Sequence, residues 1–313
     1  MNDMKENKIS RIIWLLCLVL AMTGCSEDLS SSFADDEIKP GDPILFAPYL
    51  FGRATTRATD VSAFHATEES YSFTYEIYKA GPTLVGSGPE LYWPDNTIAY
   101  GFKATAGTVT LEADQSTKAN FLLQDNLLGY AAIASTTDNI VGLNYRTCVD
   151  WKAANATAGV AAENQKTIPV FFQHQRSRIT VILKAGDGVR PEELALAAAT
   201  NNISATIYSY GASNLSITPY ASEVTIETVK YTQYTAIVEP HNYSAQNIVT
   251  INLSGQSSTF SGSYDLSTAG KHLVLTLTLT RADTFKALVT ARIVDWDNVA
   301  PVTITLDDFG QTN

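Results

Sequence analysis

The chain is poor in basic charge, in cysteine and in long apolar runs, and each shortage narrows what it can be. Only 17% of its 313 residues are charged, and 21 Lys and Arg face 32 Asp and Glu, for a formal net charge of -11. A nucleic-acid binder needs a basic surface to displace counterions from phosphates, so no nucleic-acid partner is expected. Disorder is excluded from the other side, because 45% of the residues are hydrophobic. The three cysteines, at 17, 25 and 148, are too few for a disulfide framework. Beyond residue 25 no apolar run approaches the roughly 18 residues of a membrane-spanning helix. Catalytic signatures are missing as well. Gly-x-Ser-x-Gly, His-Glu-x-x-His, Walker and Gly-x-Gly-x-x-Gly patterns do not occur, and the four histidines at 65, 174, 241 and 272 are scattered. The chain is read as a non-enzyme without cofactor or metal.

What is present begins with an address. Lys5, Lys8 and Arg11 precede the apolar run 12–20, the shape of a secretory signal. The run closes on Ala21-Met22-Thr23-Gly24-Cys25, and a small residue followed by Gly-Cys resembles a bacterial lipoprotein signal, which makes Cys25 the expected lipidation site. An ordinary signal peptide with a coincidental cysteine is the competing reading. Loss of residues 1–24 removes three basic and two acidic groups and leaves Cys148 as the one thiol not spent on lipid. Residues 25–43 then read as an acidic tether, with Glu27, Asp28, Asp35, Asp36 and Glu37. Acids directly after the lipidated Cys resemble the surface-export signal of Bacteroidetes lipoproteins, against a plain solvated linker.

From residue 44 onward, short alternating segments separated by turn residues are the pattern of antiparallel sandwiches and not of βαβ units. The clearest is 272–280, with Leu273, Leu275, Leu277 and Leu279 on one face. Further strands are expected at 71–78, 108–111, 168–172, 179–183, 205–210, 223–229, 235–238, 248–253, 287–294 and 302–306. Pro191 with Glu192 and Glu193 opens a short helix reaching Ala199, and 153–166 is read as a long loop. So many strands exceed one seven-stranded sandwich, and the chain divides at 175/176 into units 44–175 and 176–313.

Isolated chemistry reads mostly as structure. Asp295 and Asp297 offer two carboxylates to a cation, but a strand end with solvated acids around Trp296 is the simpler reading. Cys148 has no partner histidine at motif spacing and reads as an inert thiol. His174, beside Arg176 and Arg178, reads as a hydrogen-bonded corner residue. The Asn-x-Ser/Thr sites at 155, 202, 214, 242 and 252 carry no weight in a bacterial lipoprotein.

Several segments then add up to a resemblance: Cys25, Ile44-Leu-Phe-Ala-Pro, Thr56-Arg57-Ala58-Thr59, Tyr92-Trp93-Pro94, the central stretch 168–183 around His174, Gly270-Lys-His-Leu, and Ile293-Val-Asp-Trp296. Their order and spacing over residues 40–300 resemble the fimbrillin family of Bacteroidetes. The resemblance implies an all-β fold of two tandem transthyretin-like Greek-key β-sandwich domains, and a pilus subunit or related surface adhesin. It also implies removal of an N-terminal strand by an Arg-specific protease, after which a partner's strand fills the groove. Here the removable segment is 44–57, with its strand at 44–51, and the candidate bonds follow Arg53 or Arg57; a simple loop with two solvated arginines is the alternative. The donor strand falls at 302–306, unless that strand completes its own sheet. Partners so implied are other pilus subunits, a host or bacterial surface receptor, and the outer membrane through lipid. The rival is a monomeric glycan-binding surface lipoprotein in which Tyr92, Trp93 and Trp151 form a stacking platform.

Overall fold

Strands with one apolar face must bury it in pairs of layers, and the computed structural model, which describes residues 37–50, 72–133, 138–196, 203–212, 214–281 and 286–295, meets that demand with three sheets. Strands β1 (Phe46–Leu50), β2 (Phe73–Lys79), β3 (Thr83–Gly88), β4 (Tyr100–Ala106), β5 (Leu127–Ala131) and β6 (Ile168–His174) form a six-stranded sheet in the order β1-β6-β5-β4-β2-β3. The second half supplies β7 (Ser177–Ala185), β8 (Ile203–Ser209), β9 (Leu215–Ile217), β10 (Tyr220–Ile226), β11 (Val229–Val238), β12 (His241–Leu253), β13 (Gln256–Leu266), β14 (Lys271–Thr280) and β15 (Lys286–Asp295). These make a five-stranded sheet, β10-β11-β7-β14-β15, and a four-stranded one, β13-β12-β8-β9. Ile179, Val181, Leu183 and the leucines at 273, 275, 277 and 279 share one buried core with Ile207, Ile217, Ile251 and Leu253 from the other sheet. The fold is all-β with sandwich-like layers.

Two pairings are parallel, β1 with β6 and β7 with β14, so the six- and five-stranded sheets are mixed where uniform antiparallel pairing was expected, while the four-stranded sheet is antiparallel throughout. The expected strand 223–229 is two strands. Glu227 and Thr228, at φ 52° and 87°, turn the chain between β10 and β11.

The six-stranded sheet is curled. Phe46 of β1 and Tyr75 of β2 are four strands apart in the ladder, about 19 Å in a flat sheet at strand spacing, yet their rings stack at 4.0 Å. Small inward residues allow the bend. Ala104, Ala106 and Ala131 are buried on that face, and a Cβ on Gly129 would meet the Phe172 ring at 2.8 Å.

The open side of the curl is closed by α2 (Cys148–Thr157), which comes after the short α1 (Lys118–Leu123) in the chain. Thr147 caps α2 by accepting from the Asp150 N–H, and the helix buries Cys148, Trp151 and Asn155, spaced i, i+3, i+7. The reading of 153–166 as a loop is therefore corrected. Its first part is helical, and Asn155 Nδ2 donates to the carbonyls of Gln165 and Thr167, each at 2.8 Å, tying the approach to β6 down onto the helix. The expected helix at 191–199 is shorter, α3 (Pro191–Leu194), with Ala195 extended and 197–200 outside the described residues.

Residues 108–111 form no strand, because their backbone serves the junction between the six-stranded sheet and the other two. Thr108 N–H donates to Leu123, and the Val109 carbonyl accepts from the buried Arg176 at 2.7 Å. Arg176 also reaches the Gln124 carbonyl and, at 3.4 Å, Glu239. Gln115 imitates a strand partner: its amide donates to Ile237 O at 2.9 Å and accepts from Ile237 N at 2.8 Å. The chain passes this crossing at Gly107, φ +81°, where a Cβ would lie 1.5 Å from the Asp125 carbonyl oxygen.

Candidate functional site

The segment the sequence marks as removable enters the fold as a strap. Residues 41–44 lie against 91–93, with Gly41 N–H donating to Trp93 O at 2.8 Å, Trp93 N–H to Asp42 O at 2.9 Å and Ile44 N–H to Leu91 O at 2.8 Å. The strap then crosses to β6, where Ile168 N–H donates to Leu45 O at 2.7 Å and five pairs run in parallel register, Phe46 with Ile168 through Leu50 with Phe172. Among the described residues β6 is the only ladder partner of β1, which ends the sheet.

Alternation decides what this strap contributes to the core. Ile38 and Ile44 are buried, Leu45 is exposed, and Phe46 enters the curl, stacked on Tyr75 and edge-on to Phe102 at 5.5 Å. On the opposite face Tyr49 stacks on Phe171 at 5.3 Å. Each buried apolar side chain of this kind stabilises by about 2 kcal/mol. Phe46 rests on a floor in which Phe102 is fully buried and packs with Trp93 at 5.6 Å and Trp151 at 6.2 Å, and Trp93 is in turn tied to the strap through its main chain. Removing residues 37–50 would leave a slot with an apolar floor, one free edge of β6 and unpaired main-chain groups at 91–93. Such an edge accepts an added strand.

The residues that bear on cutting and anchoring, Arg53, Arg57 and Cys25, lie outside the described residues, as do the strand at 302–306, Trp296 and Asp297. Asp295 pairs with Lys271. Among the described residues no group of three or more His, Cys, Asp or Glu could hold a metal. Cys148 is buried and its thiol is pushed up by burial, which opposes nucleophilic use. His174 is a corner residue at the end of β6, its Nδ1 2.9 Å from Asp125 in a buried pair. The aromatic platform is not assembled: Tyr92 is half-exposed, but Trp93 and Trp151 are only 2% and 1% exposed, both buried in the core around Phe102. That correction comes from alternation, since Trp93 faces inward where Tyr92 faces out. The junction residues Arg176, Gln115 and Gln124 were missed in the sequence, where polar side chains give no sign of being buried.

Among the described residues no helix is long and apolar enough to cross a membrane. No curated protein matches the sequence. Among solved structures, the chain is similar to the fimbrial anchor protein Mfa2 from Porphyromonas gingivalis at 8% identity and TM-score 0.40, covering 82% of this chain and 98% of that one. It is similar to a candidate cell adhesion protein from Bacteroides ovatus at 11% identity and TM-score 0.45, over 83% and 99% of the two chains. A fimbrial protein from the same organism matches at 13% identity and TM-score 0.34, over 72% of this chain and 46% of the other. The family description Fimbrillin-like matches residues 49–296, which is most of the chain, and the protein therefore belongs to the fimbrillin-like family.

Proposed function

We propose that the protein is a fimbrial subunit exported as a lipoprotein, lipidated at Cys25 and tethered to the outer membrane by the acidic segment that leads from Cys25 to the strap. In this reading 44–175 and 176–313 are its two domains, and a cut after Arg53 or Arg57 releases the strap that ends in β1. A strand from another subunit then takes the place of β1 beside β6, with the segment 302–306 as the donor. The observation that carries the reading is the attachment of β1: a single parallel partner among the described residues, with Phe46 stacked on Tyr75 and edge-on to Phe102. Parallel pairing is slightly weaker per residue than antiparallel pairing, which suits a strand meant to leave. Main-chain hydrogen bonds would supply the affinity of the incoming strand, and the pocket between Tyr75 and Phe102 its register.

The test treats the full chain with an Arg-specific protease, identifies the new N-terminus by mass spectrometry and looks for oligomer ladders. Cleavage after Arg53 or Arg57 followed by a ladder is expected, and R53Q with R57Q together should abolish both. A chain that is cut at these bonds yet stays monomeric, with the strap still bound, would refute strand replacement.

A further inference from the structure

An edge strand left open pairs with other chains unless charge, proline, a bulge or shortness blunts it. Among the described residues the three sheets end in six edge strands, and five are blunted in these ways. β9 has three residues, β1 has five with Pro48, and β3 has six and is bulged at Val85. β10 carries Glu223, and β15 carries Lys286, Arg292 and Asp295. β13 is the exception. It runs for eleven residues, Gln256–Leu266, without proline, lysine or arginine, and its one charge is Asp265 near the end. The bulges in its ladder place the extra residues in β12, so β13 itself stays regular.

The edge is open along most of its length. Ser257, Thr259, Ser261 and Ser263 are exposed, and β12 is the only ladder partner of β13 among the described residues. The two ends are occupied: Gln256 accepts from Arg281 Nε at 3.3 Å, and the Leu266 carbonyl accepts from Ser177 Oγ at 3.2 Å. Asp265 is drawn into the next turn, where it accepts from the Ser267 N–H at 3.0 Å and from its hydroxyl at 2.6 Å. Between these ends the outward side chains are small and bonded towards β12. Thr259 Oγ1 lies 2.8 Å from Thr250 Oγ1, Ser261 Oγ donates to Asn247 at 2.7 Å, and Ser263 Oγ accepts from the Ala245 N–H at 2.9 Å. Held this way, they leave the free side of the strand uncovered. On the core side Phe260 and Tyr264 are only partly buried.

We propose that β13 is the contact between two copies of this chain, paired antiparallel and edge to edge about a twofold axis, so that two four-stranded sheets continue as one. Charge selects a second copy as the partner. Two chains of net -11 repel each other over an acidic surface, yet apart from Asp265 the four-stranded sheet holds no Asp, Glu, Lys or Arg. This edge is where two acidic chains approach at least electrostatic cost. Symmetry then matches the faces. A twofold axis through the middle of β13 sets the Ser and Thr row against the same row of the other copy, and Phe260 and Tyr264 against their equivalents on the core side. Cross-strand hydroxyl and aromatic pairs of this kind stabilise a sheet, and the two rings complete a burial that the single chain leaves partial. A contact made by the same patch on both partners closes at two. It therefore joins chains side by side, which is a different contact from the replacement of β1.

The experiment uses the full-length chain carrying R53Q and R57Q, so that cleavage and strand replacement do not contribute. Analytical ultracentrifugation over about 1–200 μM should show a monomer passing to a dimer with a Kd of about 10–100 μM, as suits an interface at the small end of the size range. Hydrogen exchange at the two ends of that range should slow only in peptides from 256–265. Ser261→Lys sets like charges across the twofold axis and should raise the Kd at least about tenfold, with circular dichroism and thermal midpoint unchanged because Ser261 is exposed. Mixing S261K with S261E chains should restore the dimer, a rescue that a mere change in folding would not give. T259K takes the place of S261K if that variant does not fold, and T83K, on the edge strand β3, should dimerise as the parent does. A chain that stays monomeric throughout, a dimer whose slowed exchange lies outside 256–265, or an S261K chain that pairs as tightly as the parent overturns the proposal. So does a mixture of S261K and S261E that associates no better than S261K alone. None of these outcomes touches the protease and ladder test of strand replacement.

Discussion

If β1 is a separable strap, Phe46→Ala should loosen it without lowering the stability of the whole. The Phe46 ring stacks on Tyr75 at 4.0 Å with an interplanar angle of 6° and meets Phe102 edge-on at 5.5 Å, but it is only partly buried. Truncating a fully buried Phe costs about 3–5 kcal/mol, and aromatic pairs add about 0.5–1.5 kcal/mol beyond area. For a ring at the rim of the core we take about 3 kcal/mol, which multiplies the local opening equilibrium by about 100-fold. Hydrogen exchange read by mass spectrometry on peptides spanning 44–50 and 168–172, beside a urea melt of the same sample, separates the two possibilities. Peptides from 44–50 and the facing edge of β6 should lose protection by that factor until they exchange as an open strand, and the global free energy should fall by no more than the free energy of opening the strap in the parent, because a chain whose strap is already open loses nothing further. A global loss of the full 3 kcal/mol with no selective deprotection would place β1 inside the cooperative core and refute the idea that it can be withdrawn.

Arg176→Met should cost about 3–5 kcal/mol in a urea melt, since it leaves Glu239 and the carbonyls of Gln124 and Val109 without their buried donor; a loss under 1 kcal/mol would mean that water replaces it. Gly107→Ala should yield little folded protein, because φ +81° and a Cβ 1.5 Å from the Asp125 oxygen cannot both be relieved locally; normal expression with an unchanged thermal midpoint would contradict that. The carboxyl of Glu193 is held down to about 2 by the Arg190 N–H and by Arg281. A depressed acid stabilises above its ordinary value of 4.5 and loses that contribution as pH falls through about 2, so the gap in thermal midpoint between parent and Glu193→Gln should be full at pH 6 and closed near pH 2. Cys148 should react with a thiol reagent at neutral pH only at the rate of unfolding, because its sulfur is buried and its pKa raised; rapid labelling of the native chain would show an open path to α2.

The alternating strands were legible because a two-residue period reports burial directly, as in 272–280, where four leucines face the core as read. Which strand neighbours which, and in which direction, was not: alternation gives the phase of β1 and β7 but says nothing of their parallel partners. Residues 108–111 have strand-like composition, yet a guanidinium 67 residues away claims the Val109 carbonyl. The helix at 148–157 was obscured because only three of its side chains, Cys148, Trp151 and Asn155, are buried and one of them is polar. Aromatics mislead for a related reason. Trp93 and Trp151 have the composition of a binding platform, but Trp93 turns inward beside the strap and Trp151 lies on the buried face of α2, and both meet Phe102.

The direction of β1 has a mechanical consequence. A pull applied through the N-terminal segment acts along the axis of the strand, so the five pairs with β6 are strained together in shear and do not open one after another like a zipper. Before they bear any load, the hydrogen bonds of 41–44 to 91–93 must yield. An intact strap is therefore a grip that resists tension along the whole edge, and a protease that severs the chain beyond it removes the covalent link to the body and leaves the strap held by those non-covalent contacts alone.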